Sequence, residues 1–186
     1  MNGKYLKRGD KMAKKRKPKM EFRYYQMSAG SPILALLGQK WVQNYGNDVD
    51  YLHFHNYLEI GYCYGGDGFM VLGEEEKRFY GGIVTVIPPN YPHTTNSDIG
   101  TVSKWEYLFI DVEGFMKKFL DNPVKAEKVI QRIYSRALFF EEKENLSISK
   151  KIHKILDIMR DGEEFFLEEA KELYPDWYEK RIVQGE

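Results

Sequence analysis

Cysteine is nearly absent: Cys63 is the only one in 186 residues. An internal disulfide is therefore excluded, and a lone thiol suits a reducing compartment, so a cytoplasmic location is expected. No apolar run approaches the roughly 18 residues that a membrane-crossing helix needs, and the amino terminus lacks the apolar core of a secretory signal. No membrane partner is expected. Net charge is zero overall, and no internal repeat stands out. Histidine is scarce too, with four in the chain, yet three of them fall between residues 53 and 93.

The remaining composition is that of a domain able to bury one substantial core: 42% hydrophobic, 30% charged and 15% aromatic. Charge is unevenly placed. Residues 1–20 hold nine basic residues against one acidic, a net of +8, which leaves −8 for residues 21–186. The run Lys14-Lys15-Arg16-Lys17-Pro18-Lys19 offers nothing apolar to bury and reads as a solvated, disordered tail, although such a run can also touch phosphates without specificity. In the next stretch, Ile33–Leu37 follows Ser31-Pro32 and is closed by Gly38, which predicts a short capped helix. Residues 51–112 are rich in β-branched and aromatic residues punctuated by glycine, the pattern of a barrel or sandwich. Gly65-Gly66-Asp67-Gly68 predicts a hairpin between Leu58–Tyr64 and Phe69–Leu72. Leu72-Gly73-Glu74 and Gly81-Gly82 predict turns, and Ile83–Ile87 predicts a strand.

Within that β region, His53 and His55 share one face of a strand. Glu59 has the same parity, but four extended residues cover about 13 Å, too far for ligands of one ion. The chain must turn between His55 and Leu58, and Asn56 tolerates turns. His93 follows in a second block, Gly82 to Pro88-Pro89-Asn90. Imidazole and carboxylate are the donors that suit divalent zinc, iron, nickel or manganese. The same residues would also fit a half-buried strand with satisfied histidines and an exposed glutamate.

The two blocks, His53-Phe54-His55-Asn56-Tyr57-Leu58-Glu59-Ile60 and Gly82-Ile83-Val84-Thr85-Val86-Ile87-Pro88-Pro89-Asn90-Tyr91-Pro92-His93, resemble the paired motifs of the cupin superfamily. Over approximately residues 22–165 the chain is similar, in particular, to the amino-terminal sensing and dimerisation domain of AraC-type bacterial transcription regulators. Two positions depart from the general cupin pattern: Asn90 stands where glycine is expected, and Ser97 where asparagine is, with Asn96 one place early. The resemblance implies a mainly β, cupin-like (double-stranded β-helix or jelly-roll) barrel with carboxy-terminal helices. It divides the chain into the tail at 1–20, a ligand-binding barrel with an amino-terminal arm at 21–112, and a helical dimerisation region at 113–186. It also implies His53, His55, Glu59 and His93 as a divalent-metal set facing the lumen, and a small effector, carbohydrates being a natural class.

On the late strand Thr101–Val112, Lys104, Glu106 and Leu108 alternate with Trp105, Tyr107 and Phe109. Charge should face water, so the aromatic face should look inward, either as core or as a ligand wall. Trp105, Tyr107 and Tyr57 are the candidate ligand contacts. From Phe115 the period becomes helical. Pro123 opens one helix carrying Ala126, Val129, Ile130, Ile133, Ala137 and Leu138. A second carries Ile148, Ile152, Ile155, Leu156 and Met159 and should end at Asp161-Gly162, and a third runs from Glu163 to Tyr174 before Pro175. Ile148, Ile152, Ile155 and Met159 form a stripe that is either internal packing or the seam of a homodimer; in the resembled family this region dimerises. His153 reads as a surface residue. No helix-turn-helix unit is found up to Glu186, so DNA contact is expected only through a module outside this chain. A stand-alone metal-dependent cupin enzyme, an isomerase or oxygenase, is the alternative. It would need a general base, for which only Tyr57 and Glu106 offer themselves. No catalytic residue is assigned.

Overall fold

The computed structural model describes residues 19–28, 30–46, 51–173 and 175–184. The expected basic tail lies outside the described residues except for Lys19 and Met20, which already belong to a strand. In chain order the strands are β1 (Lys19–Arg23), β2 (Ile33–Leu36), β3 (Val42–Gln43), β4 (Tyr51–His55), β5 (Leu58–Gly65), β6 (Gly68–Leu72), β7 (Glu75–Phe79), β8 (Ile83–Ile87), β9 (His93–Ser97), β10 (Ser103–Ile110) and β11 (Leu138–Glu141). The helices are α1 (Val112–Phe119), α2 (Pro123–Tyr134), α3 (Leu146–Leu173) and a short α4 (Pro175–Tyr178).

The strands form two sheets, β1-β4-β9-β6-β7 and β11-β8-β5-β10-β2, with β3 also paired to β10. From β4 onward the chain passes repeatedly from one sheet to the other, which makes a jelly-roll, cupin-like sandwich. Its core lies between the sheets, where Met70, Leu72 and Phe79 of one meet Cys63, Ile83, Ile87, Trp105, Tyr107 and Phe109 of the other. The inward aromatic face expected on β10 is thus observed. Among the described residues no helix is long and apolar enough to cross a membrane.

Four local expectations are corrected. Ile33–Leu36 is a strand, antiparallel to β10 with Leu36 opposite Tyr107 and Ile33 opposite Ile110. Five apolar residues are too few to sustain a helix alone, and here both faces are used: Leu34 and Leu36 pack inward, Ile33, Ala35 and Leu37 outward. Second, β5 and β6 do not pair as a hairpin. They lie in different sheets, and Gly66 (φ 89°) and Gly68 make the crossing; a Cβ on Gly68 would meet the backbone carbonyl of Asn96 at 2.1 Å. Third, α2 ends at Tyr134, and Leu138 begins β11, which joins β8 with Leu138 opposite Val86. A strand from the helical region therefore completes the six-stranded sheet. Fourth, α3 does not break at Asp161-Gly162. A single glycine costs a helix only about 1 kcal/mol, and helix formers flank it.

The outward face of the six-stranded sheet is roofed by α3. Ile152 (4% exposed) and Leu156 sit on Tyr62, Val84 and Leu108, with Ile155 and Met159 beside them. The stripe proposed as a dimer seam is consumed by the chain's own sheet, and Ile148 stands apart, 42% exposed. Glu106, expected in water, is buried under the same roof. Its carboxylate accepts from Arg160 Nη2 at 2.7 Å, Tyr64 hydroxyl at 2.8 Å and Gly38 N–H at 3.1 Å. His153 is half-buried, 3.3 Å from Glu142.

Asn90 has φ 60°, and its N–H donates to His55 carbonyl at 2.8 Å. Asparagine tolerates this left-handed region nearly as well as glycine, so the departure from the cupin pattern keeps the backbone geometry. Asn90→Gly should therefore leave stability little changed, whereas Asn90→Val should cost about 1–2 kcal/mol. Urea unfolding measures both, and a valine variant as stable as the parent would show that the turn is not strained.

Candidate functional site

Side chains of β4 and β9 that sit opposite one another point to the same face of the sheet. His53 and His93 are such a pair, and both look into a cavity of about 410 Å³ between the sheets. Glu59 reaches the same place from the other sheet, because Asn56 and Tyr57 carry the chain across between β4 and β5. The turn expected there is observed. Asn56 also fixes it: its side-chain amide accepts from Tyr25 N–H and donates to Tyr25 carbonyl, both at 2.9 Å.

Ligand atoms of His53, Glu59 and His93 all lie within 4.8 Å of one another. His55 belongs to the group by a different route. Its ring centroid is 6.4 Å from that of His53, and it does not border the cavity, but its Nε2 is 3.1 Å from Glu59 Oε2. His93 Nε2 is 3.7 Å from the same oxygen. Nδ1 of His55 and Nδ1 of His93 face the carbonyls of Tyr57 (2.7 Å) and Tyr91 (2.9 Å). A carbonyl can only accept, so both Nδ1 atoms carry the hydrogen, and in the neutral rings both Nε2 atoms carry lone pairs. Neither Nε2 makes an aligned hydrogen bond, though both are fully buried.

Glu59 is 4% exposed. Burial works against its charge, but the adjacent imidazoles of His55 and His93 outweigh it and hold the carboxyl below the usual carboxylate range. Burial, and then the neighbouring His93, push His53 down to about 2. Lone pairs turned toward a buried carboxylate repel it unless a proton or a cation comes between them. The orphaned Nε2 atoms, locked tautomers and nitrogen–oxygen donor set fit a divalent transition ion.

The wall above this floor is aromatic and amide-rich. Tyr25 stacks on Phe109 at 3.9 Å, and Trp41 meets Tyr107 edge-on at 5.7 Å. Gln43, Asn44, Tyr45, Tyr51, Thr94 and Thr95 add polar groups, and Arg23 lines the same cavity. Of the expected ligand contacts, Tyr107 is on the wall. Trp105 is not: it is fully buried behind Tyr107, stacked at 5.9 Å and 7°, with its edge to Phe79. Tyr57 does not border the cavity either and contributes its carbonyl to His55. Thr95 was accessible by strand parity from His93. Arg23, Tyr25 and Trp41 come from segments without a period to betray them.

A family model described as "AraC-like ligand binding domain" matches residues 43–174. No curated protein matches the chain. Among solved structures it is similar to a cupin protein from Bacteroides fragilis (19% identity, 47% of this chain and 83% of that one, TM-score 0.34). Others are a putative mannose-6-phosphate isomerase from Ralstonia eutropha (14%, 44% and 88%, TM-score 0.34) and apo ToxT from Vibrio cholerae (13%, 78% and 58%, TM-score 0.37).

His53 stays neutral in the fold well below its ordinary value of 6.5, whereas the unfolded chain protonates there. Its contribution to stability is therefore complete above about pH 6.5 and is lost as the pH falls toward the depressed value, by at most about 1.4 kcal/mol per pH unit. In metal-free protein, His53→Asn should make the acid limb of stability against pH shallower by up to that slope. Denaturant titrations across that range measure it, and an unchanged slope would mean that His53 takes up its proton in the folded state.

Proposed function

The chain belongs to the AraC-like ligand-binding domain family, and on that premise we propose that it senses a small polar effector in the cavity between its sheets. The carrying observation is that one cavity joins a buried donor set of metal type to a wall of flat rings and neutral hydrogen-bonding groups. Carbohydrates suit such a wall: Trp41 and Tyr107 offer faces for apolar sugar edges, and Gln43, Asn44, Thr94 and Thr95 offer donors and acceptors for hydroxyls. His53, Glu59 and His93 would hold a divalent ion, with His55 steadying Glu59 from behind. A bound ion would supply a Lewis-acid anchor for an oxygen of the effector.

In this reading the domain regulates transcription in the cytoplasm, associates with a second copy, and meets DNA through a helix-turn-helix module outside this chain. A metal-dependent isomerase or oxygenase would use the same donors, but it would also need a proton-handling group facing its substrate. Glu106 is on the far face of β10 under α3, and Tyr57 is off the cavity wall. Neither of the two acid–base candidates that the sequence offered therefore faces the cavity.

Native mass spectrometry after dialysis against zinc or manganese should show one ion per chain, absent from His93→Ala and Glu59→Gln. His55→Ala should retain it with affinity lowered by about 10–100-fold, the effect typical of a residue that orients a ligand. Calorimetry with a panel of monosaccharides should find one whose binding Trp41→Ala weakens without loss of fold. Uptake of no ion and no sugar by the unmodified chain would overturn the reading.

A further inference from the structure

Among the residues that line the cavity, Arg23 is the only lysine or arginine and Glu59 the only acid. Strand pairing puts Arg23 there. β1 runs parallel to β4, with Glu21 opposite His53, Phe22 opposite Phe54 and Arg23 opposite His55. Phe22 and Phe54 meet ring to ring at 5.2 Å on the outer face of the sheet. Arg23, one residue further, therefore projects to the inner face, toward the cavity.

The protein leaves the far end of this guanidinium free. Arg78 gives both of its Nη atoms to Asp98, at 2.8 and 2.7 Å, and Arg160 divides its two between Asp157 and Glu106. Arg23 uses only Nε, which donates to Glu21 Oε2 at 3.0 Å. Its Nη1 and Nη2 have no partner among the described residues. The two side chains of the Glu21 pair are 43% and 40% exposed, so water screens their attraction. Two parallel N–H groups at the end of a guanidinium match the two oxygens of a carboxylate, a geometry that lysine does not offer.

A neutral polyol in the cavity would displace water from this fork and return no opposite charge. With a divalent ion on His53, Glu59 and His93, Glu59 would stand alone against two cationic centres, and the lining would carry an excess of positive charge. β1 and β4 are neighbouring strands, about 4.8 Å apart, so one small molecule reaches both the donor set and the guanidinium.

We propose that Arg23 selects an acidic effector: the cavity takes a sugar acid, its carboxylate held by Nη1 and Nη2 of Arg23 and its hydroxyls by the amide-rich wall. The proposal rests on the effector-binding reading and narrows it from carbohydrates at large to those that carry a carboxylate. Gln43, Asn44, Thr94 and Thr95 serve the hydroxyls that every sugar shares. Arg23 reads the one group that separates an acid from its neutral parent.

Calorimetry of the whole chain, supplied with manganese, tests this with three matched pairs of sugars. These are D-glucose and D-glucuronate, D-galactose and D-galacturonate, and D-mannose and D-mannuronate. Near neutral pH, one of the acids should bind about tenfold or more tighter than its neutral partner. Arg23→Gln should erase that preference and leave the affinity for the neutral sugar little changed. Arg23→Lys keeps the charge without the fork and should retain only part of the preference. Circular dichroism and melting of both variants should match the parent, because Arg23 lies on an edge strand with its side chain partly in water. Neutral sugars bound as tightly as their acids would overturn the acidic class and leave carbohydrate sensing standing. A preference that survives Arg23→Gln would overturn the role of Arg23. Binding of none of the six would overturn this proposal and the carbohydrate reading together.

Discussion

Glu59 carries its charge into the space between two sheets, where water has little access and no lysine or arginine among the described residues pairs with it. A carboxylate so placed costs several kcal/mol unless something of opposite sign answers it. Much of the local architecture follows from that demand. The β4–β9 register sets His53 opposite His93, and the Asn56-Tyr57 crossing swings Glu59 to face them. Two backbone carbonyls fix which nitrogens hold hydrogen. Imidazoles answer the charge only by gaining a proton or by sharing a cation with it. The floor of the cavity is thereby tied to the chemistry of whatever is bound there.

The six-stranded sheet holds a second buried carboxylate, Glu106, and the contrast is instructive. Glu106 has a guanidinium, a phenol and a backbone N–H, all within 3.1 Å. Its needs are met by the protein, and it works as a clamp that seats α3. Lys104 adds a cation over the Tyr64 ring at 4.6 Å. Glu59 has no comparable set of donors. Two acids of similar burial therefore serve different ends, and the difference lies in how completely each is hydrogen-bonded.

The sequence was most legible where a local rule coincides with the final contact. Alternation gave the inward face of β10, about 13 Å of extended chain forced the turn after His55, and Gly73 and the pair Gly81-Gly82 marked the turns on either side of β7. Asn90 kept a left-handed corner that its chemical type permits. Legibility failed where a distant partner decides. Ile33–Leu36 is apolar enough for either structure, and only the open edge of β10 makes it a strand. Glu106 reads as solvated until Arg160, fifty-four residues later, covers it. The stripe on α3 was rightly read as apolar, but periodicity does not say what it faces. The cavity wall was least visible of all, since Arg23 is placed by the pairing of β1 with β4, Tyr25 by Asn56, and Trp41 by the flanking strands β2 and β3 pairing with the distant β10.

The late position of α3 also bears on the order in which the molecule is made. Once Glu141 has emerged from the ribosome, every strand of the six-stranded sheet exists, and β2 can pair with β10 although seven strands lie between them in the chain. Its outer face, with Ile60, Tyr62, Val84 and Leu108, still waits for Ile152 and Leu156 to arrive. Synthesis proceeds at about 5–20 residues per second, so that interval lasts on the order of a second. During it the nascent domain shows an apolar sheet to its surroundings. A chain released early, before Arg160 can reach Glu106, would keep that face bare and would be a natural client for a chaperone.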